Sequence, residues 1–171
     1  GIPSVALRFF NIFGPRQALS NPYTGAVAIF SSRLLNGNQP LIFEDGEQTR
    51  DFVSVHDIVQ GILLSAEKEG AVGGAFNIGQ GHATSIKTVA LTLAQILGLD
   101  IEPEITGRYR IGDIRHCFAD ITAAREALGY QPRVTLEEGM RELVGWLQEQ
   151  EKPEDGVGQH AADLAARGLT L

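Results

Sequence analysis

The feature that most constrains this chain is an apolar run that breaks into a Gly-Pro loop. Val5, Ala6, Leu7, Phe9 and Phe10 are nearly continuous, and Asn11, Ile12, Phe13, Gly14, Pro15 and Arg16 follow. Such a run, without polar alternation, fits a strand of a parallel sheet covered on both faces, so a buried strand is expected over 3–10 and a loop over 11–24. Ligands in open α/β sheets lie beyond the carboxyl ends of the strands. Asn11, whose amide both donates and accepts, and Arg16, a planar cation suited to phosphate, stand where a ligand group would be met. A strand ending in a structural turn, with Arg16 solvated, has the same pattern.

Periodicity supplies the remaining elements. The spacing predicts a helix over 26–35 stopped near Gly37, then short strands over 41–43 and 52–55 around a polar turn at Asp45-Gly46. Residues 57–67 have helical spacing, with Ile58, Ile62 and Ala66 recurring every four positions, and 75–78 reads as a strand. Thr84 or Ser85 can cap a helix through Leu97 in which Ile86, Val89, Leu93 and Ile96 share a face, with Gly98 as the stop. Asp120 precedes a short helix to Leu128 ended by Gly129. Thr135 and Glu138 have capping-box spacing before a helix with an apolar stripe of Leu136, Met140, Leu143, Val144 and Leu147. Three stretches result: 1–24, 25–150, and a loosely attached tail over 151–171. The helix opening at Gly25-Ala26-Val27 could offer backbone amides to a phosphate.

Gly79-Gln80-Gly81 follows an apolar run and precedes a helical pattern, as a dinucleotide fingerprint does, but position 84 is Thr where the third glycine belongs. A plain strand-to-helix turn is the expectation there.

Composition narrows the function classes. The 171 residues suffice for one sizeable core, and a net charge of −7 argues against broad nucleic-acid or anionic-membrane binding. Phosphate recognition would then fall to a few arginines. No apolar run approaches the roughly 20 residues that span a bilayer, and no signal-peptide pattern opens the chain, although an upstream start would hide one. The single Cys117 excludes an internal disulfide, which fits the cytoplasm, and four histidines without ligand spacing predict no metal.

Four blocks in order carry a resemblance: LRFFNIFGPRQ at 7–17, LIFEDGEQTRDFV at 41–53, AFNIG at 75–79 and RIGDIRH at 110–116. Over roughly residues 3 to 148 the sequence resembles the NAD-dependent epimerase/dehydratase family, the extended short-chain dehydrogenases acting on nucleotide sugars. The resemblance implies an α/β fold, the C-terminal substrate-binding domain of such an enzyme plus a terminal strand of its Rossmann sheet. The family's dinucleotide glycine loop and its catalytic Tyr-x-x-x-Lys would lie upstream of Gly1. The chain therefore reads as the C-terminal part of a longer enzyme, inactive alone and without a catalytic residue of its own. NAD would take hydride from a sugar carbon and return it to the opposite face, most of its site lying upstream. Asn21-Pro22-Tyr23-Thr24-Gly25 and the stretch Gly112 to Cys117 lean the resemblance toward UDP- or dTDP-sugar 4-epimerases. Dehydratases, decarboxylases and reductases share the binding motifs, and a non-catalytic nucleotide-sugar-binding module is the reading from another class. A homodimeric parent is implied as well.

The resemblance also assigns roles. Arg50 and Arg110 would hold the diphosphate, a task for which the guanidinium fork is suited by its paired charge-assisted hydrogen bonds. Asp113 would orient a ribose hydroxyl or an adjacent arginine, Asn11 would contact the substrate near its phosphates, and Phe43 would pack beside the base, unless it is a core aromatic. Val27 would contribute through the helix terminus. Phe9 and Phe10 would border the nicotinamide. Asp51 either holds Arg50 or caps a turn. His56 reads as structural, because the family's base lies upstream. His116 and Cys117, neighbours in a strand, point to opposite faces and make no nucleophile pair.

Overall fold

The computed structural model describes residues 1–18, 25–109, 111–150 and 166. A three-residue strand organises it. β5 (Phe52–Ser54), the fifth strand in chain order, is buried along its length and pairs in parallel with β2 (Asn11–Phe13), Asn11 opposite Phe52 and Phe13 opposite Ser54. Successive side chains on a strand face opposite ways. Phe52 accordingly joins one core cluster and Val53 the other.

The first cluster is helical. It packs Val27 and Phe30 of α1 (Ala26–Leu35), Leu93 of α3 (Ile86–Leu97), and Met140 and Leu143 of α5 (Leu136–Gln148) around Phe13 and Ile42. The second gathers Ile58 of α2 (Val55–Glu67), Phe76 and Ile78 of β6 (Ala75–Ile78), Leu128 of α4 (Thr122–Leu128), and Tyr130. β1 (Ala6–Phe9) runs parallel to β6, from Ala6 opposite Ala75 to Phe9 opposite Ile78. Short strands complete the frame. β3 (Leu41–Ile42) pairs in parallel with β8 (Glu104–Ile105), and β4 (Thr49–Arg50) lies between an antiparallel β7 (Thr84–Ser85) and a parallel β9 (His116–Cys117).

Local chemistry sets the helix ends. The hydroxyl of Ser85 accepts from Thr88 N at 3.1 Å, and the Thr135–Glu138 capping box is complete. Ser54 caps α2 by accepting from His56 N at 3.2 Å, so that helix begins two residues before the expected Asp57. Gly98 (φ 69°) and Gly129 (φ 74°) end α3 and α4 in the left-handed conformation that glycine adopts without steric cost.

Three expectations are corrected. The first strand is shorter than 3–10 and largely exposed, because β6 is its one strand partner among the described residues and only Val5, Leu7 and Phe10 reach the second cluster. The stretch expected as a loop from residue 11 opens with β2, and residues 19–24 lie outside the described residues. The strands expected over 41–43 and 52–55 are each one residue shorter, ending at Ile42 and at Ser54, where Val55 already opens α2. On α2, Ile62 is 43% exposed and Ala66 is exposed, whereas Ile58 and Gly61 are buried and Leu64 is half-buried. The glycine explains this choice of face: a Cβ at position 61 would stand 3.0 Å from Ile78 Cγ2, so the smallest residue marks the inward face. The tail expected over 151–171 lies, apart from Ala166, outside the described residues.

Tyr130 is fully buried and its hydroxyl donates to Gly79 O at 2.9 Å. Burial, aided by the carboxylates of Asp57 and Asp51, raises its pKa above the ordinary 10.0. The phenol that titrates higher in the folded than in the unfolded chain contributes stability that is whole below about pH 10 and is lost as the pH rises toward the folded value. Tyr130→Phe is expected to lower stability at pH 7 by about 1–2 kcal/mol and to flatten the alkaline decline above pH 10, as read from urea melts across that range.

Candidate functional site

Asp51, immediately before β5, is fully buried. A buried carboxylate must find donors. Its Oδ1 accepts from Gln80 N at 2.7 Å, and its Oδ2 accepts from Gly81 N at 2.9 Å and Ala119 N at 3.1 Å. A Cβ at Gly79 would stand 2.7 Å from Asp51 Oδ2 and 2.8 Å from Ala119 Cβ, and Gly81 has φ 82°. The Gly-x-Gly turn therefore does cradle an anion, and the anion is the chain's own side chain. Of the two roles open for Asp51, the structure has the turn, since Arg50 is bonded elsewhere. Asp57 repeats the device, with Oδ1 accepting from Arg133 N at 2.8 Å and Oδ2 accepting from Val134 N at 3.2 Å and Gln80 Nε2 at 3.3 Å.

On the other side of this anchor, half-buried Arg50 lies opposite Cys117 in the β4–β9 pair. Its Nη1 donates to Thr49 O at 2.8 Å and to Arg115 O at 3.1 Å, and among the described residues no carboxylate pairs with it. Phe43 is half-buried and belongs to neither core cluster. Its carbonyl accepts from Gln48 Nε2 at 2.9 Å, while Gln48 Oε1 is buried without a hydrogen-bond partner among the described residues.

Residues 106–108 run beside 42–44: Thr106 N donates to Ile42 O at 2.9 Å, Glu44 N to Arg108 O at 2.6 Å, and Gly107 N to Glu44 O at 3.2 Å. Arg115 pairs with Glu44 at 2.5 Å and with Asp45 at 2.8 Å. Hydrogen bonding by the Arg115 guanidinium holds the Asp45 carboxyl below the usual range. Phe43, Arg50 and the exposed segment bearing Asp113 are thus brought around one turn. Asn11 joins them from β2, its N–H donating to Asp51 O at 2.9 Å.

The other expected residues are placed apart or unplaced. Arg110 lies outside the described residues. The Val27 side chain is 1% exposed within the first core, so only its backbone at the start of α1, where Gly25 provides no side-chain cap, can serve a ligand. Phe9, 43% exposed, ends β1, and half-buried Phe10 donates its N–H to Ile78 O at 3.3 Å. Arg16 is exposed in the left-handed region at φ 66°. His56 Nε2 contacts the Glu142 carboxylate at 2.8 Å and links α2 to α5. His116 Nδ1 lies 3.0 Å from Thr49 Oγ1. Sequence reasoning missed Arg115, Gln48 and Asp57. Arg115 meets partners 70 and 71 residues away, and no spacing rule signals such a contact.

Among the described residues no helix is long and apolar enough to cross a membrane, and no three His, Cys, Asp or Glu side chains gather as a metal ion requires.

Residues 1–79 match the model of the NAD dependent epimerase/dehydratase family. The dTDP-L-rhamnose 4-epimerase of Burkholderia thailandensis is 39% identical over 145 residues, which make up 85% of this chain and 40% of that protein. A UDP-glucose 4-epimerase of Thermotoga maritima, solved with UDP-glucose, is 41% identical and superposes with a TM-score of 0.78, covering 84% of this chain and 45% of its own. A UDP-glucuronic acid 4-epimerase of Bacillus cereus, solved with UDP-glucuronic acid and NAD, is 30% identical with a TM-score of 0.78, covering 86% of this chain and 46% of its own. The chain spans less than half the length of each of these proteins. Its parallel strand pairs and flanking helices are those of part of an extended short-chain dehydrogenase.

Removing the anchor leaves three N–H groups, that of buried Ala119 and those of half-buried Gln80 and Gly81, without their acceptor. Asp51→Ala is expected to cost about 3–5 kcal/mol in a urea melt, with Asp51→Asn intermediate, because the amide keeps one acceptor and turns a donor toward donors.

Proposed function

We propose that this chain, which belongs to the NAD-dependent epimerase/dehydratase family, is the nucleotide-sugar-binding part of a UDP- or dTDP-sugar 4-epimerase that uses NAD. The observation that carries this reading is the convergence of Phe43, Arg50 and the 106–116 segment on one turn. There the Arg50 guanidinium is oriented by two backbone carbonyls and, among the described residues, is not neutralised by an acid. A planar cation held in that way is poised for a diphosphate, since paired charge-assisted hydrogen bonds satisfy both charge and geometry.

In this reading Arg50, with Arg110, takes the diphosphate, Asn11 lies near the phosphates, Asp113 meets a ribose hydroxyl and Phe43 packs beside the base. In the same reading the Ala26 and Val27 amides, which open α1, face a phosphate oxygen. Fixing the substrate in this way lowers the entropic part of the barrier.

The described residues fit only the edge of an NAD site. The Gln80 and Gly81 amides are taken by Asp51, whereas Phe9 and Phe10 at the end of β1 offer rings that a nicotinamide can border. Bound NAD supplies reversible hydride removal at the sugar carbon. A homodimeric whole protein and a cytoplasmic setting, in which the Cys117 thiol stays reduced, belong to the same proposal.

Calorimetric titration of UDP-glucose into the full-length protein tests the reading. Arg50→Ala is expected to raise Kd at least about tenfold, the loss of one charged hydrogen-bonding partner, while the urea midpoint stays near that of the wild type. An unchanged Kd would overturn the diphosphate assignment. Inversion at C4 of the sugar, followed by NMR, separates epimerisation from decarboxylation or dehydration.

A further inference from the structure

The segment 107–115 presents no buried side chain among its described residues: Tyr109 is 48%, Ile111 53% and Ile114 62% exposed. Burial of apolar side chains therefore does not hold its described residues, and polar contacts tie both of its ends. The first end is tied through the backbone, by the Glu44 N to Arg108 O and Gly107 N to Glu44 O bonds at 2.6 and 3.2 Å. The second is tied by the β4–β9 pair, where His116 lies opposite Thr49, and by Arg115. Arg115 divides its guanidinium between Glu44 Oε2 and Asp45 Oδ2, while its carbonyl accepts from both Thr49 N at 3.0 Å and Arg50 Nη1 at 3.1 Å.

Glu44 takes part in both ties and sits at φ 54°, in the left-handed region, where a non-glycine residue persists only when its surroundings hold it. One exposed ion pair would contribute little, whereas an arginine shared between two carboxylates on a constrained turn forms a network.

We infer that Arg115 is a positioning residue: its side chain straps the 107–115 segment, with Asp113, to the Glu44–Asp45 turn beside Phe43, and its carbonyl aims the Arg50 guanidinium. The strap joins the base-side and phosphate-side halves of the site, so that grip on the nucleotide depends on a residue that need not touch it. This inference rests on the nucleotide-sugar reading of the site.

The test uses the full-length protein as wild type, Arg115→Ala, Arg115→Lys and the double variant Glu44→Gln/Arg115→Ala. UDP is titrated into each, and hydrogen exchange is followed over 107–115. Arg115→Ala is expected to raise the Kd for UDP about three- to tenfold and to speed exchange across 107–115 roughly tenfold, with a melting temperature close to wild type. Arg115→Lys, which keeps the charge without the fork, falls between them, and the double variant is no worse than Arg115→Ala alone. If wild type binds UDP and Arg115→Ala binds it equally well, the positioning role is overturned, whatever the exchange shows. If wild type does not bind UDP, it is the nucleotide-sugar reading that fails. Exchange then decides the strap alone: faster exchange in Arg115→Ala upholds it and unchanged exchange removes it.

Discussion

Everything in the site is referenced to one buried carboxylate. Asp51 stands at the point where β4 gives way to β5, and through three backbone N–H groups it fastens the 79–81 turn and Ala119 to that point. Its own carbonyl takes the Asn11 N–H, which fixes the end of β1 and the start of β2 as well. A carboxylate in an apolar surround is costly unless its lone pairs are used, and here the donors come from segments distant in sequence. The arrangement is consequently specific: Gly79 cannot carry a Cβ without displacing Asp51, and the amides beside it cannot bind another anion while Asp51 is in place.

From that anchor the two residues on either side go to different tasks. Phe52 enters the helical core, and Arg50 turns to the edge formed with β9, where its guanidinium meets carbonyls. The chain as a whole carries a net charge of −7, so a phosphate is not drawn to it by a general field, and recognition depends on where single arginines are held. Two kinds of arginine result. Arg115 pairs with Glu44 and Asp45, and Arg50, among the described residues, meets backbone carbonyls and no acid.

What could be read from the sequence follows from the range of the interactions involved. The capping box at Thr135, the Ser85 cap, the glycine stops at 98 and 129 and the apolar stripe of α5 are local features, and the structure has each of them. The recurrence of Ile58, Ile62 and Ala66 marks α2 as a helix but not which face turns inward, because the close approach of Ile78 that makes Gly61 an inward residue comes from another strand. The short strands were hard for a related reason: two or three residues carry no period, and β4, β8 and β9 exist only through partners dozens of residues away. The site was legible as motifs and not as geometry. Arg50, Asp51, Phe43 and Asp113 all stand out in the sequence, yet which of them meet, and that Asp51 answers the 79–81 turn and not its neighbour Arg50, depends on pairings that no spacing encodes.

The most direct test of the account is a crystal structure of the full-length protein with a UDP-sugar bound. The account predicts that the Arg50 guanidinium lies about 2.7–2.9 Å from diphosphate oxygens, with Phe43 beside the base and the Asp51 contacts to Gln80, Gly81 and Ala119 unchanged. A diphosphate bound away from Arg50, or seated on the 79–81 amides with Asp51 displaced, would contradict it.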